Sequence, residues 1–216
     1  WQQPRLRVRL IPNGIDTRAF ARAPKRDALP GLVKRRGELW VGTMAGLRKA
    51  KDLPALVSAF SSLPEPWQLV IAGEGPERGA ILAAAESHGV EDRVHLPGFV
   101  AQPAKVIGLF DIFALSSLSE QFPISVVEAM AAGLPVAAPR VGDIGVMVAS
   151  ENGPFLAPPG DRPALAEALT RLAGDPALRK RIGEANRAKA RGDYDESTMI
   201  ERYRALYWGL MGRPRP

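Results

Sequence analysis

The stretch Glu120-Gln121-Phe122-Pro123-Ile124-Ser125-Val126-Val127-Glu128-Ala129-Met130-Ala131-Ala132-Gly133 decides how this chain is read. Two carboxylates, Glu120 and Glu128, bracket the start of a helix. Pro123 suits the first helical position, because the N–H it lacks has no intrahelical partner there. Gly133 suits the position just past the end, where the backbone turns left-handed. The first turn then presents the N–H groups of Ile124, Ser125 and Val126, and such a turn attracts anions, phosphate above all. A carboxylate just before the turn and another on its second turn accept hydrogen bonds from hydroxyls. Phosphate and sugar hydroxyls recognised side by side are the chemistry of a nucleotide sugar.

Outward from this segment, short apolar runs alternate with helical patterns. Strands are expected at 6–11, 39–42, 68–72, 93–96, 111–115 and 134–138. Helices are expected at 52–62, 77–88 and 104–110, after the caps Asp161 and Asp175, and over 194–211, with residues 17–37 irregular and basic. In 52–62 the apolar positions Leu53, Leu56, Val57 and Phe60 follow a helical period. The pattern predicts an α/β domain whose parallel sheet is covered by helices on both faces. The last helix carries an apolar stripe of Met199, Ile200, Tyr203, Leu206, Tyr207 and Leu210, expected to pack mainly on its own domain.

The composition is that of an ordinary globular chain, with 216 residues, 46% hydrophobic and 24% charged. Cysteine is absent, which removes disulfides and thiolate catalysis. His88 and His95 lack metal-ligand spacing, and no nucleophile–histidine arrangement supports a hydrolase. Residues 1–51 hold 13 of the 29 Lys and Arg but only 3 of the 23 Asp and Glu. This basic front suits phosphates or an anionic lipid surface, although Lys34-Arg35-Arg36 also reads as a plain solvated face. Nucleic acid is disfavoured, since no binding motif accompanies the charge. Gly73-Glu74-Gly75 fails the G-x-G-x-x-G pattern and reads as a tight strand-to-helix turn. Asp193-Tyr194-Asp195 reads as a helix cap rather than a metal motif.

Taken with Leu134-Pro135-Val136, the segment Glu120–Gly133 resembles the E-x7-E motif of retaining glycosyltransferases with the GT-B fold, and more narrowly their family 4. Ile11-Pro12-Asn13-Gly14-Ile15-Asp16, Gly73-Glu74-Gly75-Pro76 and Leu96-Pro97-Gly98-Phe99 match that family in order. The resemblance implies one Rossmann-like half of a GT-B fold with a long C-terminal helix. It implies a single nucleotide-sugar-binding domain over 1–216: an opening strand and basic linker at 1–37, a core at 38–192, and a crossover helix and tail at 193–216. The chain begins at Trp1 and is read as the donor-binding part of a longer enzyme whose N-terminal acceptor domain is its partner. In that setting the last helix crosses back to the partner domain and part of its stripe is exposed. The implied activity moves a hexose from a nucleoside diphosphate sugar to a glycan, lipid or small-molecule acceptor with retention, without metal or cofactor. The isolated piece is expected to be inactive. The expected setting is cytoplasmic, with peripheral contact to the inner face of an anionic membrane as an option that the basic front leaves open.

The resemblance also assigns site residues. Glu120 faces the donor hexose, and the N–H groups of Phe122, Ile124 and Ser125 lie near its hydroxyls and the diphosphate, with Pro123 and Val126 completing the turn. Glu128 takes the ribose hydroxyls. Lys51 contacts the diphosphate and neutralises charge on the leaving group. Gly98 and Phe99 lie beside the nucleobase, Gly73 borders the donor, and Gly42 and Thr43 let backbone approach it. One departure stands out: where the family has Arg, this chain has Gly46, and a planar bidentate donor is lost. Either Arg48 reaches in instead, or the domain is a degenerate scaffold. A sugar-nucleotide epimerase of the same fold is the other alternative, and the Glu120–Gly133 segment argues against it.

Overall fold

Six short apolar strands form one sheet: β1 (Leu39–Met44), β2 (Trp67–Ala72), β3 (Val94–Gly98), β4 (Ile112–Ala114), β5 (Val136–Pro139) and β6 (Leu156–Ala157). This is a computed structural model, and it describes residues 8–211. The strand order is β3-β2-β1-β4-β5-β6 and every pairing is parallel. The helices are α1 (Thr17–Phe20), α2 (Leu53–Phe60), α3 (Arg78–Ser87), α4 (Ile124–Ala132), α5 (Ile144–Met147), α6 (Arg162–Gly174), α7 (Pro176–Asp193) and α8 (Glu196–Leu210).

Side chains alternate along each strand and so feed two cores. Trp40, Val70 and Phe113 join α1, α4 and the turns at 103–109 on one face. Val41, Leu69, Ile71 and Ile112 join α2, α3 and α6 on the other. Both faces are therefore covered, and the strands read as continuous apolar runs because neither face meets water. Each fully buried Leu, Ile or Phe in these layers contributes about 1.5–3 kcal/mol.

The helix starts follow their capping chemistry. Asp161 and Asp175 accept from the N–H groups of Ala164 and Leu178, both at 2.9 Å. Asp195 caps α8 by accepting from Ser197 N–H at 3.1 Å, which makes Asp193-Tyr194-Asp195 a helix start. Gly133 ends α4 at φ 78°.

Four expectations change. Residues 8–11 form no strand and residues 6–7 lie outside the described part: Leu10 is exposed, and the sheet edges are already β3 and β6. Instead, Ile15 bridges to Asp195 beside the start of α8. The 17–37 stretch, otherwise irregular, contains the short α1. Residues 104–110 form two 3₁₀ turns, Pro103–Lys105 and Ile107–Leu109; Gly108, within the stretch, disfavours a continuous helix and packs against Pro24. Finally, no residue of α8 is buried, and Tyr203, Tyr207 and Leu210 are exposed. Among the described residues the stripe packs on its own domain only in part: Met199 and Leu206 are partly buried, while Ile200, Tyr203, Tyr207 and Leu210 are exposed.

Gly42 lies inside β1, where a Cβ would fall 2.1 Å from the Phe110 ring. Gly42→Ala is expected to destabilise the domain by about 1–3 kcal/mol through overpacking, measured as a lowered urea midpoint with unchanged m-value; an unchanged midpoint contradicts this packing.

Candidate functional site

Strand order reverses between β1 and β4. In open α/β sheets the crevice beyond the carboxyl ends of such a pair takes the ligand. Two loops flank it here, residues 45–52 after β1 and residues 115–123 after β4.

The first loop is held backbone to backbone. Leu47 N–H donates to Glu74 O at 2.9 Å and Ala45 N–H to Ala72 O at 3.0 Å. A Cβ at Gly73 would lie 1.9 Å from Ala45 O, and one at Gly75 would lie 2.4 Å from Leu47 O. The Gly73-Glu74-Gly75 turn is thus glycine-rich so that the first loop can lie directly on it. The loop ends in a 3₁₀ turn, Lys49–Lys51, closed by Asp52 at φ 42°, the one non-glycine residue with positive φ among those described. Asp tolerates this conformation better than most residues, and its carboxylate also accepts from Arg162 at 3.0 Å.

Two adjacent serines tie this region together, Ser116 by bonding the first loop and Ser117 by holding Glu120 within the second. Ser116 Oγ donates to Lys51 O at 2.8 Å, and Ser117 Oγ donates to Glu120 Oε1 at 2.7 Å. Leu118 N–H adds a bond to Ala50 O at 2.8 Å. Lys51 Nζ then meets the same Glu120 Oε1 at 2.5 Å, with side chains 25% and 10% exposed. The predicted cation and carboxylate are therefore brought together as a largely shielded ion pair. Ser116 and Ser117 were not among the predicted site residues, although hydroxyls at a strand's carboxyl end, three residues before Glu120, are the signal that points to them.

Pro123 is the N-cap of α4, one position earlier than expected. Val126 N–H is consumed by Pro123 O at 3.0 Å, so Val126 offers no free donor. The N–H groups of Ile124 and Ser125 donate to no protein acceptor among the described residues. The turn is held in place by Asp143 N–H donating to Gln121 O at 2.8 Å and by an edge-to-face contact of Phe122 with Tyr194, centroids 5.6 Å apart. At the far end of α4, Arg187 donates to Ala132 O at 2.6 Å, a cation where the helix dipole favours one.

Glu128 stands on the second turn of α4, half-buried, with no hydrogen-bond partner among the described residues. Burial pushes its carboxyl above the usual glutamate value. A desolvated carboxylate without donors is suited to receiving hydroxyls.

The other predicted residues divide. Arg48 is exposed and folds over Gly46: a Cβ on residue 46 would lie 3.5 Å from Arg48 Nε. Phe99 is 71% exposed, free at the rim. Gly73 N–H is bonded to Gly98 O at 2.8 Å, so both groups are engaged with each other. Gly42 is small for the sake of Phe110 and is buried. Thr43 is fully buried, and its hydroxyl has no partner. Neither Gly42 nor Thr43 presents a surface to a ligand. Arg35 and Arg36 precede β1 at the amino end of the sheet, opposite the crevice, and Lys34 is bound to Asp111 at 2.6 Å. Of the basic front, the Lys34-Arg35-Arg36 cluster therefore does not line the site, whereas Lys51 and Arg48 stand on the loop that does. Among the described residues no group of His, Cys, Asp or Glu is arranged to hold a metal ion, and no helix is long and apolar enough to cross a membrane.

The sheet, the switch-point crevice and the ordering of Lys51, Glu120 and Glu128 define a Rossmann-like half of a GT-B fold. The chain belongs to the glycosyl transferases group 1 family, whose profile matches residues 26–189. It is similar to the N-acetyl-alpha-D-glucosaminyl L-malate synthase of Bacillus anthracis, 27% identical over 97% of this chain and 55% of that protein. It is 32% identical to the 2-deoxystreptamine N-acetyl-D-glucosaminyltransferase of Streptomyces fradiae over 78% of this chain and 41% of that protein. Among solved structures it superposes on sucrose-phosphate synthase from Thermosynechococcus elongatus with a TM-score of 0.83 at 28% identity, covering 94% of this chain and 53% of that one. Anabaena Alr3699/HepE in complex with UDP and glucose gives 0.82 at 25%, covering 93% and 57%. The chain spans about half the length of the relatives it matches most fully.

The raised carboxyl of Glu128 fixes a sign for stability against pH. The folded state holds this proton more tightly than the unfolded state, so stability falls as pH rises from the ordinary glutamate value, 4.5, through the raised one. Glu128→Gln is expected to be more stable than the parent at pH 7 and to lose that advantage below about pH 4, as read by urea unfolding at both pH values; equal stability at pH 7 contradicts a desolvated Glu128.

Proposed function

We propose that this domain binds the nucleoside diphosphate sugar of a retaining hexosyltransferase and that the crevice between β1 and β4 is the donor site. The observation that carries this reading is the convergence of Lys51, Glu120 and the unengaged Ile124 and Ser125 amides on one switch-point crevice. A diphosphate placed there meets an ammonium and a helix N-terminus. Glu120 then takes hexose hydroxyls through its second oxygen, and Glu128 takes the ribose. Exposed Phe99 offers an apolar face to the base. HepE, which has UDP and glucose bound, supports a uridine nucleotide as the first donor to test.

In the reaction, the bond from the anomeric carbon to the terminal phosphate oxygen breaks and a bond to an acceptor oxygen forms on the same face. The acceptor's proton passes to the departing diphosphate. Lys51 and the α4 amides stabilise the charge that develops on that leaving group, with Arg48 added from above Gly46, and we propose that this suffices without a metal. The acceptor side belongs to a second domain, as the half-length match to the relatives supports. Polysaccharide, lipid and small-molecule acceptors all fit this reading.

Calorimetric titration with UDP, GDP and ADP tests it. One nucleotide is expected to bind, and Glu128→Ala to weaken it by about tenfold or more, as expected when hydrogen bonds to a charged group are lost. Absence of binding by all three contradicts the assignment. The degenerate-scaffold reading rests on Gly46 and is tested through Arg48. Arg48→Ala is expected to weaken nucleotide binding about three- to tenfold at low salt, with a smaller effect at high salt; no effect at low salt leaves the missing Arg without a replacement.

A further inference from the structure

Glu120 does more than face the sugar. Its Oε1 accepts from both Lys51 Nζ and Ser117 Oγ, at 2.5 and 2.7 Å, and the pair is largely shielded from water. Lys51 is thus already neutralised by a carboxylate of the chain itself, fixed in position by a serine that is 1% exposed. A diphosphate that approaches Lys51 competes with that carboxylate and is repelled by it.

Two ligands meet this arrangement differently. A nucleoside diphosphate sugar brings two negative charges and hexose hydroxyls that donate to Glu120, which offsets part of the repulsion. A bare nucleoside diphosphate brings an extra ionisable oxygen on its terminal phosphate and no donor for the carboxylate. Like charges at close range in a shielded crevice interact more strongly than in bulk water. The carboxylate therefore penalises the spent nucleotide more than the intact donor.

On the donor-site reading above, we propose that Glu120 is a specificity-determining residue that disfavours the product nucleoside diphosphate relative to the sugar donor, by competing with it for Lys51. Ser117 is a positioning residue, since it acts only through the carboxylate it holds.

The experiment is titration of UDP and of UDP-glucose into the parent chain, Glu120→Gln, Glu120→Ala and Glu128→Ala, with the melting temperature of each recorded. Removal of the charge at residue 120 is expected to tighten UDP binding about three- to tenfold while UDP-glucose gains nothing or loses. The ratio of the two dissociation constants then moves toward the bare nucleotide. Two different replacements guard against a misfolded variant. If UDP binds the parent and weakens with Glu128→Ala, but Glu120→Gln and Glu120→Ala leave UDP binding unchanged or weaker, the competition is overturned while the site stands. If UDP binds neither the parent nor any variant, the donor-site reading and this inference fall together.

Discussion

Parallel pairing is the constraint on which the rest depends. A parallel strand must be reached by a crossover, and crossovers in one sheet share one hand. β1, β2 and β3 run outward in one direction, and β4, β5 and β6 in the other. Their helices consequently fall on opposite faces, and the carboxyl ends of β1 and β4 are left with a crevice between two loops. The close backbone contacts of Gly73 and Gly75 with the first loop, and the bonds of the Ser116 hydroxyl and Leu118 N–H to its 3₁₀ turn, tie the loops around that crevice together. Without those contacts Lys51 and Glu120 would belong to separate loops rather than to one ion pair.

The crevice carries costs that the cores must offset. Glu128 is desolvated without a partner, and Asp52 holds a left-handed backbone just after Lys51. Both are unfavourable for folding alone, and both sit where a polyanionic, hydroxyl-rich ligand would be met. The two flanking cores, with Trp40, Phe60 and Phe113 fully buried, supply the stability against which such features are tolerated. The strain and the unmet hydrogen-bonding capacity lie at the mouth of the sheet rather than in its layers, apart from the orphan Thr43 hydroxyl and Arg187 Nε.

Much of this was legible in the residues. Short continuous apolar runs marked five of the six strands, because burial on both faces leaves them unbroken, and period-3.6 patterns and caps marked the long helices. The sixth strand, β6, has two residues and no periodicity to read. The 104–110 stretch looked helical by pattern, yet Gly108 abuts Pro24, a contact that sequence order does not reveal. Pro123 was placed one residue late because proline fits both the cap and the first turn, and the Val126 donor is taken up by a tight i→i−3 bond to the Pro123 carbonyl that the motif does not announce. Glu120, Glu128 and Lys51 were singled out by motif and spacing, and the structure brings Lys51 and Glu120 together, whereas Gly42 is small for another reason than the one expected. A glycine at a strand's end can make room for a ligand or for a neighbouring ring, and only packing shows that the ring is Phe110. The basic front was equally ambiguous until the strand direction put Arg35 and Arg36 at the opposite end of the sheet from the crevice. The exposed stripe of α8 could not be resolved from its period, since an amphipathic helix does not state which partner covers it.

The central claim is that the N-terminus of α4 and Lys51 together form a diphosphate site. The most direct measurement follows backbone amide resonances during titration with UDP. The largest shifts are expected on Ile124 and Ser125, with a second group over residues 48–51, and Val126 is expected to move less because its N–H is already bonded to Pro123. Shifts centred on the Arg35–Arg36 face or on α8, with Ile124 and Ser125 unmoved, would contradict it.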